Sequence, residues 1–220
     1  MKPGDFVSAL CDLEFEDTFN PYADRCPVHD APGAPKTRAK AVAAILQAAI
    51  DVEIDAIWIG RDLGYRGGRR TGLALTDDVH IEAHAARWGV SAERPTKGRA
   101  VAERTAAVIW GVLSRIEAPV FLWNVFPLHP HKSNDPFTNR SHNSAERHAG
   151  EELLRQLIQL LRPRRLIAIG NDAAQVAHRM MDMRDVVQVR HPSYGGQSLF
   201  TRQMQNLYGL PGVVRQAQLV

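Results

Sequence analysis

Apolar residues at helical spacing give way to a short, almost continuous apolar run four times along this chain. A stripe with a period of about 3.6 residues predicts an amphipathic helix, whereas a short unbroken run predicts a buried strand. The predicted strands lie at 54–59, 120–123, 166–169 and 186–189. The predicted helices begin near Lys36, Gly98, Asn143 and Asp172, and a last helix covers 197–208.

Strands that alternate with helices predict an α/β fold. Because the apolar runs are almost continuous, both faces of the sheet are expected to be covered. We therefore expect a single-domain three-layer sandwich, in which helices flank a four-stranded parallel sheet. Residues 1–35 mix acidic, aromatic, proline and glycine positions without a period. They are predicted to form an N-terminal arm packed on the domain that residues 36–220 form.

Polar residues follow three of the predicted strands. Asp62 comes after the first strand, Asn124 after the second and His191 after the fourth. Parallel strands present their carboxyl ends at one edge of the sheet, where folds of this class bind ligands. A carboxylate, an imidazole and an amide that matches the edge of a nucleobase would meet there. Each residue alone also fits a structural role in a turn or cap, so the coincidence carries the prediction.

The segment 60–72 is rich in glycine and arginine, but it has neither the Walker nor the dinucleotide-binding glycine spacing. Its glycines would let the backbone approach a ligand closely. Arg66, Arg69 and Arg70 are predicted to bind DNA phosphates. The alternative is a solvated loop.

A second long loop covers 126–140, and loops of this length are usually functional. Four histidines lie in or near it: His129, His131, His142 and His148. They are not joined by cysteines or carboxylates at a known ligand spacing, so we expect no metal site.

The composition is that of a globular protein, with 45% hydrophobic and 23% charged residues, which excludes a disordered or coiled-coil chain. The net charge is +3, and 22 of the 27 basic residues are arginine. Guanidinium groups suit phosphates and bases, although a GC-rich coding sequence explains the bias equally well. No apolar run is long enough to span a membrane, and the start lacks a secretory signal, so we expect a bacterial-type soluble cytoplasmic protein. Cys11 and Cys26 are expected to be free thiols.

Three segments together resemble the uracil-DNA glycosylase superfamily. Residues 57–65, IWIGRDLGY, followed by RRTGLALTDD at 69–78, are similar to its first motif and the Thr-Gly segment after it. Residues 123–130, WNVFPLHP, resemble its base-reading strand, and 191–196, HPSYGG, its His-Pro-Ser loop. The resemblance covers about 40–210, and the segments occur in the family's order.

The resemblance implies hydrolysis of the N-glycosidic bond of a damaged base that has been flipped out of DNA. Asp62 matches the aspartate that stabilises the sugar cation and orients or activates water. Asn124 matches the asparagine that reads uracil, His191 the histidine that supports the departing base at O2, and Ser193 a serine that contacts a phosphate. The resemblance further implies a monomer without cofactor that excises uracil from single- or double-stranded DNA in base-excision repair.

The sequence departs from the family pattern at two contact positions. The stacking phenylalanine expected in the Thr-Gly segment is Leu75, which leaves Phe126 or Tyr65 as predicted platforms for the base. The apolar wedge of the His-Pro-Ser loop falls near Gly195, so Tyr194 is predicted to replace it, with an ordinary turn residue as the alternative.

Other departures leave the substrate open. Gly64 stands where some members carry a tyrosine that excludes thymine, and Arg61 next to Asp62 would lower the basicity of the carboxylate. The alternatives are therefore a glycosylase for hypoxanthine, xanthine or mismatched thymine, and a non-catalytic module that binds damaged DNA. A third alternative is a nucleotide-binding or nucleotide-hydrolysing domain.

Overall fold

A computed structural model describes residues 2–182 and 185–211 of the chain. Six strands occur in this part: β1 (Thr18–Phe19), β2 (Ala56–Asp62), β3 (Val120–Phe126), β4 (His129–Pro130), β5 (Arg165–Ile169) and β6 (Val186–Val189). The helices there are α1 (Pro3–Cys11), α2 (Ala34–Ala49), α3 (Gly68–Thr71), α4 (Ile81–Ala86), α5 (Arg104–Leu113), α6 (Ser144–Leu161), α7 (Asn171–Met180) and α8 (Gln197–Tyr208).

Four of the strands form a parallel sheet in the order β3-β2-β5-β6, and helices cover both of its faces. Side chains alternate between the faces of a strand. Ile57 and Ile59 of β2 accordingly pack in the core under α1, α2, α6 and α7. Trp58 packs in the second core under α5 and α8. The predicted three-layer α/β sandwich with a four-stranded parallel sheet is confirmed.

Two neighbouring strands, β2 and β3, extend beyond their apolar runs. β2 continues to Asp62 and β3 to Phe126, with Gly60 paired to Asn124 and Asp62 to Phe126 across the sheet. Backbone hydrogen bonds depend little on side-chain polarity, so the ladder continues through polar residues. Asp62 and Asn124 therefore belong to rigid strands rather than to the loops after them.

The N-terminal segment contributes to the core. Phe6 and Leu10 of α1 are fully buried, and the Nδ2 of Asn20 donates to the carbonyl of Leu10 at 3.0 Å. The sequence pattern missed α1 because the helix is too short to display a repeated stripe. Helix α2 begins at Ala34, two residues before the predicted boundary. The division into an arm at 1–35 and a domain at 36–220 stays a prediction. Among the described residues, no helix has the length and apolarity needed to cross a membrane.

Two buried histidines make the stability of the fold depend on pH. Burial, with a smaller contribution from Arg87, lowers the pKa of His84 to about 3. Burial, together with Arg69, lowers the pKa of His129 to about 3. Unfolded histidine binds a proton near pH 6.5, so the unfolded chain binds protons first as the pH falls. The free energy of unfolding therefore decreases below about pH 6.5, by roughly 2 kcal/mol per histidine between pH 7 and pH 5.

We expect His129→Gln to remove about 2 kcal/mol of this acid sensitivity. A glutamine amide can keep the hydrogen bonds that the Nε2 of His129 makes to the carbonyl of Thr138 and to Asn139. Urea denaturation at pH 7 and pH 5 measures the difference, and His148→Gln, at an exposed position of α6, is the control. An equal loss in the parent and in His129→Gln would contradict the assignment.

Candidate active site

A cavity of about 830 Å³ opens at the carboxyl edge of the sheet. Residues at the ends of all four strands line it: Asp62, Asn124, Gly170 and His191. The structure therefore brings the carboxylate, the amide and the imidazole together at one site, at the place where a parallel sheet binds its ligands.

Asn124 lines this cavity and carries a buried acceptor without a partner among the described residues. Its side chain is buried, and its Nδ2 donates to the backbone carbonyl of Asp62 at 3.0 Å. Its Oδ1 is buried without a hydrogen-bond partner among the described residues. Because an unpaired buried acceptor is costly, a donor from a bound ligand would stabilise this arrangement.

Gly60 sets the position of this amide. A Cβ atom at Gly60 would lie 2.7 Å from the Nδ2 of Asn124 and 2.9 Å from a methyl carbon of Leu75. Real Cβ contacts are not this short, so any other residue would displace the amide or the leucine. The motif at 57–65 thus needs glycine at position 60, because the side chains of Asn124 and Leu75 both approach this residue closely.

Gly60→Ala is expected to lower the single-turnover rate of the base excision that the family resemblance implies, on the order of 10²-fold, because a displacement of about 1 Å in an active site has effects of this size. Gly111→Ala is the matched control, since a Cβ at Gly111 in α5 meets nothing within 4 Å. An alanine at position 60 that leaves the rate unchanged would show that the amide tolerates displacement.

Asp62 is held at both carboxylate oxygens. The Nε of Arg61 donates to its Oδ2 at 2.6 Å, and the Nδ1 of His142 donates to its Oδ1. Arg61 also donates to Asp172 at 2.9 Å, so one guanidinium is shared by two carboxylates. The side chain of Asp62 is 6% exposed, and the residue lines the cavity. The arrangement is a fixed negative charge at the cavity wall.

His191 has a defined tautomer. The backbone N–H of Ser193 donates to its Nδ1 at 3.1 Å, and the hydroxyl of Ser193 lies 2.7 Å from the same atom. Since Nδ1 accepts, the proton of the neutral ring is on Nε2. Burial, and then the charge of Arg61, lowers the pKa of His191, which favours the neutral ring. His191 is therefore a neutral hydrogen-bond donor.

The three arginines predicted to bind phosphate differ in their exposure to solvent. Arg70 is buried and donates twice to Asp78, at 2.9 and 2.7 Å. Arg69 is buried with its guanidinium over the rings of Phe19 and Phe137. Contrary to the prediction, neither of these two is presented to a phosphate, because both guanidinium groups are buried, that of Arg70 against Asp78 and that of Arg69 against aromatic rings. Arg66 alone is exposed.

The predicted base platforms also lie elsewhere. Phe126 is fully buried and packs edge-on against Phe15, with 5.6 Å between the ring centroids. The prediction of Phe126 as a platform is wrong, because its ring belongs to the core. Tyr65, whose ring lies against Arg66, is not among the described residues that line the cavity. Leu75 does line it, so the Thr-Gly segment supplies an apolar side chain after all.

Tyr194 is an exposed aromatic residue at the cavity rim. It is 97% exposed and has a left-handed backbone conformation with φ of 50°. A non-glycine residue rarely adopts this conformation, and strained residues cluster at functional sites. The loop geometry thus presents a large ring to solvent beside the cavity.

His142 is the site residue that sequence reasoning missed. The sequence offered it only as one of four histidines to be weighed as metal ligands, because Asp62 lies 80 positions away along the chain. Other cavity-lining residues that were not predicted are Thr76, Glu103, Lys132, Arg140 and Arg190. Within 2–182 and 185–211, no group of three or more histidine, cysteine or acidic residues is arranged to hold a metal.

The described chain is thus a parallel α/β sandwich with an aspartate, an asparagine and a histidine around one cavity. The family model of the uracil DNA glycosylase superfamily matches residues 59–206. The chain therefore belongs to this superfamily, whose members are DNA-binding hydrolases of DNA repair.

Solved structures support the fold. The crystal structure of wild-type SMUG2 from Pedobacter heparinus is similar with a TM-score of 0.55 and 15% sequence identity, over 96% of this chain and 98% of that chain. At this identity the likeness concerns the fold alone. A search of curated proteins finds no match.

Proposed function

We propose that this protein excises uracil from DNA by hydrolysing the N-glycosidic bond of a flipped-out deoxyuridine, leaving an abasic site. The observation that carries the proposal is the buried, unpaired Oδ1 of Asn124, a residue that lines the cavity. A nucleobase that donates one hydrogen bond and accepts the next would satisfy this amide.

Uracil has that pattern. The Oδ1 of Asn124 would accept the N3–H of uracil, and the second hydrogen of Nδ2 would donate to O4. The first hydrogen is already used by the carbonyl of Asp62, which fixes the orientation of the amide. Cytosine presents the opposite pair of groups. Its N3 acceptor would face the Oδ1 acceptor of Asn124, and its amino donor would face the Nδ2 donor.

The polar groups of the site match the charges that develop as the glycosidic bond breaks. When C1′–N1 separates, both electrons leave with the base, so positive charge develops on the sugar and negative charge on uracil. The carboxylate of Asp62 stabilises the sugar cation, and the Nε2–H of His191 stabilises O2 of the base. Water then bonds to C1′, and its proton neutralises the base, either directly or through Asp62.

The same surface provides contacts for DNA. Arg66, Lys132 and Arg190 are exposed, and the last two line the cavity. We place phosphates on these cations, with Ser193 beside them, and we place the ring of Tyr194 in the gap that the flipped nucleotide leaves. The protein acts as a monomer on single- or double-stranded DNA in the cytoplasm, at the nucleoid.

Tyr194→Ala is expected to lower excision from duplex DNA on the order of tenfold, because one aromatic–base stacking contact is lost. Single-stranded DNA has no partner strand to keep separated, so we expect a smaller loss there. Single-turnover rates on matched duplex and single-stranded oligonucleotides measure both effects. Val28→Ala, at another exposed apolar residue, is the control. Equal losses on both substrates would exclude the wedge role.

The proposal is tested with oligonucleotides that carry one uracil, hypoxanthine, xanthine or mismatched thymine, followed by chromatography of the released base. Free uracil supports the proposal, whereas release of another base alone moves the specificity to that lesion. DNA binding without release of any base would identify a non-catalytic module.

The same incubations test whether the reaction is purely hydrolytic. Because the proposed steps use only protein groups and water, we expect EDTA to leave the rate unchanged. Lys132 lines the cavity, so borohydride is added to trap any imine between a lysine and the sugar. We expect no trapped complex and no strand cleavage before alkali treatment.

A further inference from the structure

His142 occupies a buried position directly behind Asp62. Its side chain is 9% exposed, and its Nδ1 bonds to the Oδ1 of Asp62. Its ring meets the ring of Phe126 edge-on, with 6.2 Å between the centroids. Asp62 lines the cavity, whereas His142 is not among the described lining residues. The imidazole therefore contacts the carboxylate from within the protein.

The residues on either side of His142 are fixed. Asn143 caps α6, accepting a hydrogen bond from the backbone N–H of Glu146 at 3.0 Å and donating its own N–H to the Glu146 carboxylate at 2.6 Å. Arg140 donates to both oxygens of the same carboxylate, at 2.7 and 2.6 Å. This network, centred on the buried carboxylate of Glu146, anchors the loop at two points around His142, so the direction of its ring is set before substrate binds.

The contacts around Asp62 leave His142 to fix the direction of the carboxylate. Asp62 is already paired with Arg61, and Arg140 is paired with Glu146 nearby. The bond from His142 adds a second point of attachment, at Oδ1.

We propose that His142 is a positioning residue of the reaction: it holds Oδ1 of Asp62 from behind, so that the carboxylate faces the sugar cation and the attacking water. The inference rests on the proposed function and adds a residue to it. With Arg61 on Oδ2 and His142 on Oδ1, the carboxylate has no free rotation. Preorganisation of this kind lowers the barrier without any contact between His142 and the substrate.

Two substitutions separate positioning from packing. His142→Phe keeps a ring against Phe126 but removes the donor, whereas His142→Asn keeps an N–H donor at nearly the place of Nδ1. We expect His142→Phe to lower the single-turnover rate by about 10- to 100-fold, and His142→Asn to remain within a few-fold of the parent. The dissociation constant for uracil-containing DNA and the melting temperature should change little in either variant.

His148→Phe and His148→Asn are matched controls, because His148 lies exposed on α6. Circular dichroism checks each fold, and His142→Ala serves as a second donor-free variant if His142→Phe does not fold. A donor-free variant as fast as the parent would overturn the inference. So would a rate loss that His142→Asn does not rescue and that accompanies a fall in melting temperature. A parent that releases no base at all would instead contradict the proposed function, and this inference with it.

Discussion

Replacing Asn124 with aspartate is expected to lower kcat/KM for uracil excision by about 10⁴-fold, as for sites that recognise a substrate by buried hydrogen bonds. The ionised carboxylate has two acceptors, so it would meet the O4 acceptor of uracil without a donor between them. It would also lose the hydrogen bond that Nδ2 donates to the carbonyl of Asp62, which orients the side chain. The first effect acts on the bound base, and the second acts on the orientation of the side chain that would bind it.

The comparison uses uracil- and cytosine-containing oligonucleotides with the parent and the variant, after circular dichroism has confirmed the fold. A protonated aspartic acid presents a donor next to an acceptor, so trace release of cytosine is expected at low pH. Asn206→Asp, at an exposed position of α8, controls for the added charge. An Asn124→Asp variant that excises uracil at the parent's rate would remove Asn124 from base recognition.

Asp62→Asn is expected to lower the single-turnover rate by about 10²-fold or more, because the preorganised negative charge opposite the sugar cation is lost. The substitution keeps the size of the side chain and a hydrogen-bonding oxygen. DNA affinity should therefore change far less than the rate. Quenched reactions at saturating enzyme measure the rate of bond cleavage without the contribution of binding.

Asp172→Asn is a matched control for this variant. Asp172 is the second carboxylate bonded to Arg61, but its side chain is 56% exposed. Its loss should change the rate only slightly. If Asp62→Asn cleaved at the parent's rate, the group that stabilises the sugar cation would have to lie elsewhere on the cavity wall.

The sheet and the meeting of Asp62, Asn124 and His191 could be predicted because they follow from local patterns. Almost continuous apolar runs mark buried strands, and parallel strands bring their carboxyl ends together at one edge of the sheet. The runs understated the strand lengths, since β2 and β3 continue through polar residues to Asp62 and Phe126.

Contacts between distant segments could not be predicted. Arg69 is a plausible phosphate ligand in sequence, but the rings of Phe19 and Phe137 cover it in the fold. Phe126 lies two positions after Asn124, yet its ring is buried in the core and packs against Phe15. The bond between His142 and Asp62 has no local signature at all.

Quantification of free uracil and abasic sites from an oligonucleotide with a single uracil tests the central claim most directly. The parent, Asn124→Asp and Asp62→Asn are incubated with it at saturating enzyme, and a cytosine oligonucleotide serves as the substrate control. We expect the parent to release free uracil and form abasic sites in equal amounts, with both variants far slower and the cytosine strand intact. Binding of the uracil strand by the folded parent without release of free uracil would contradict the claim.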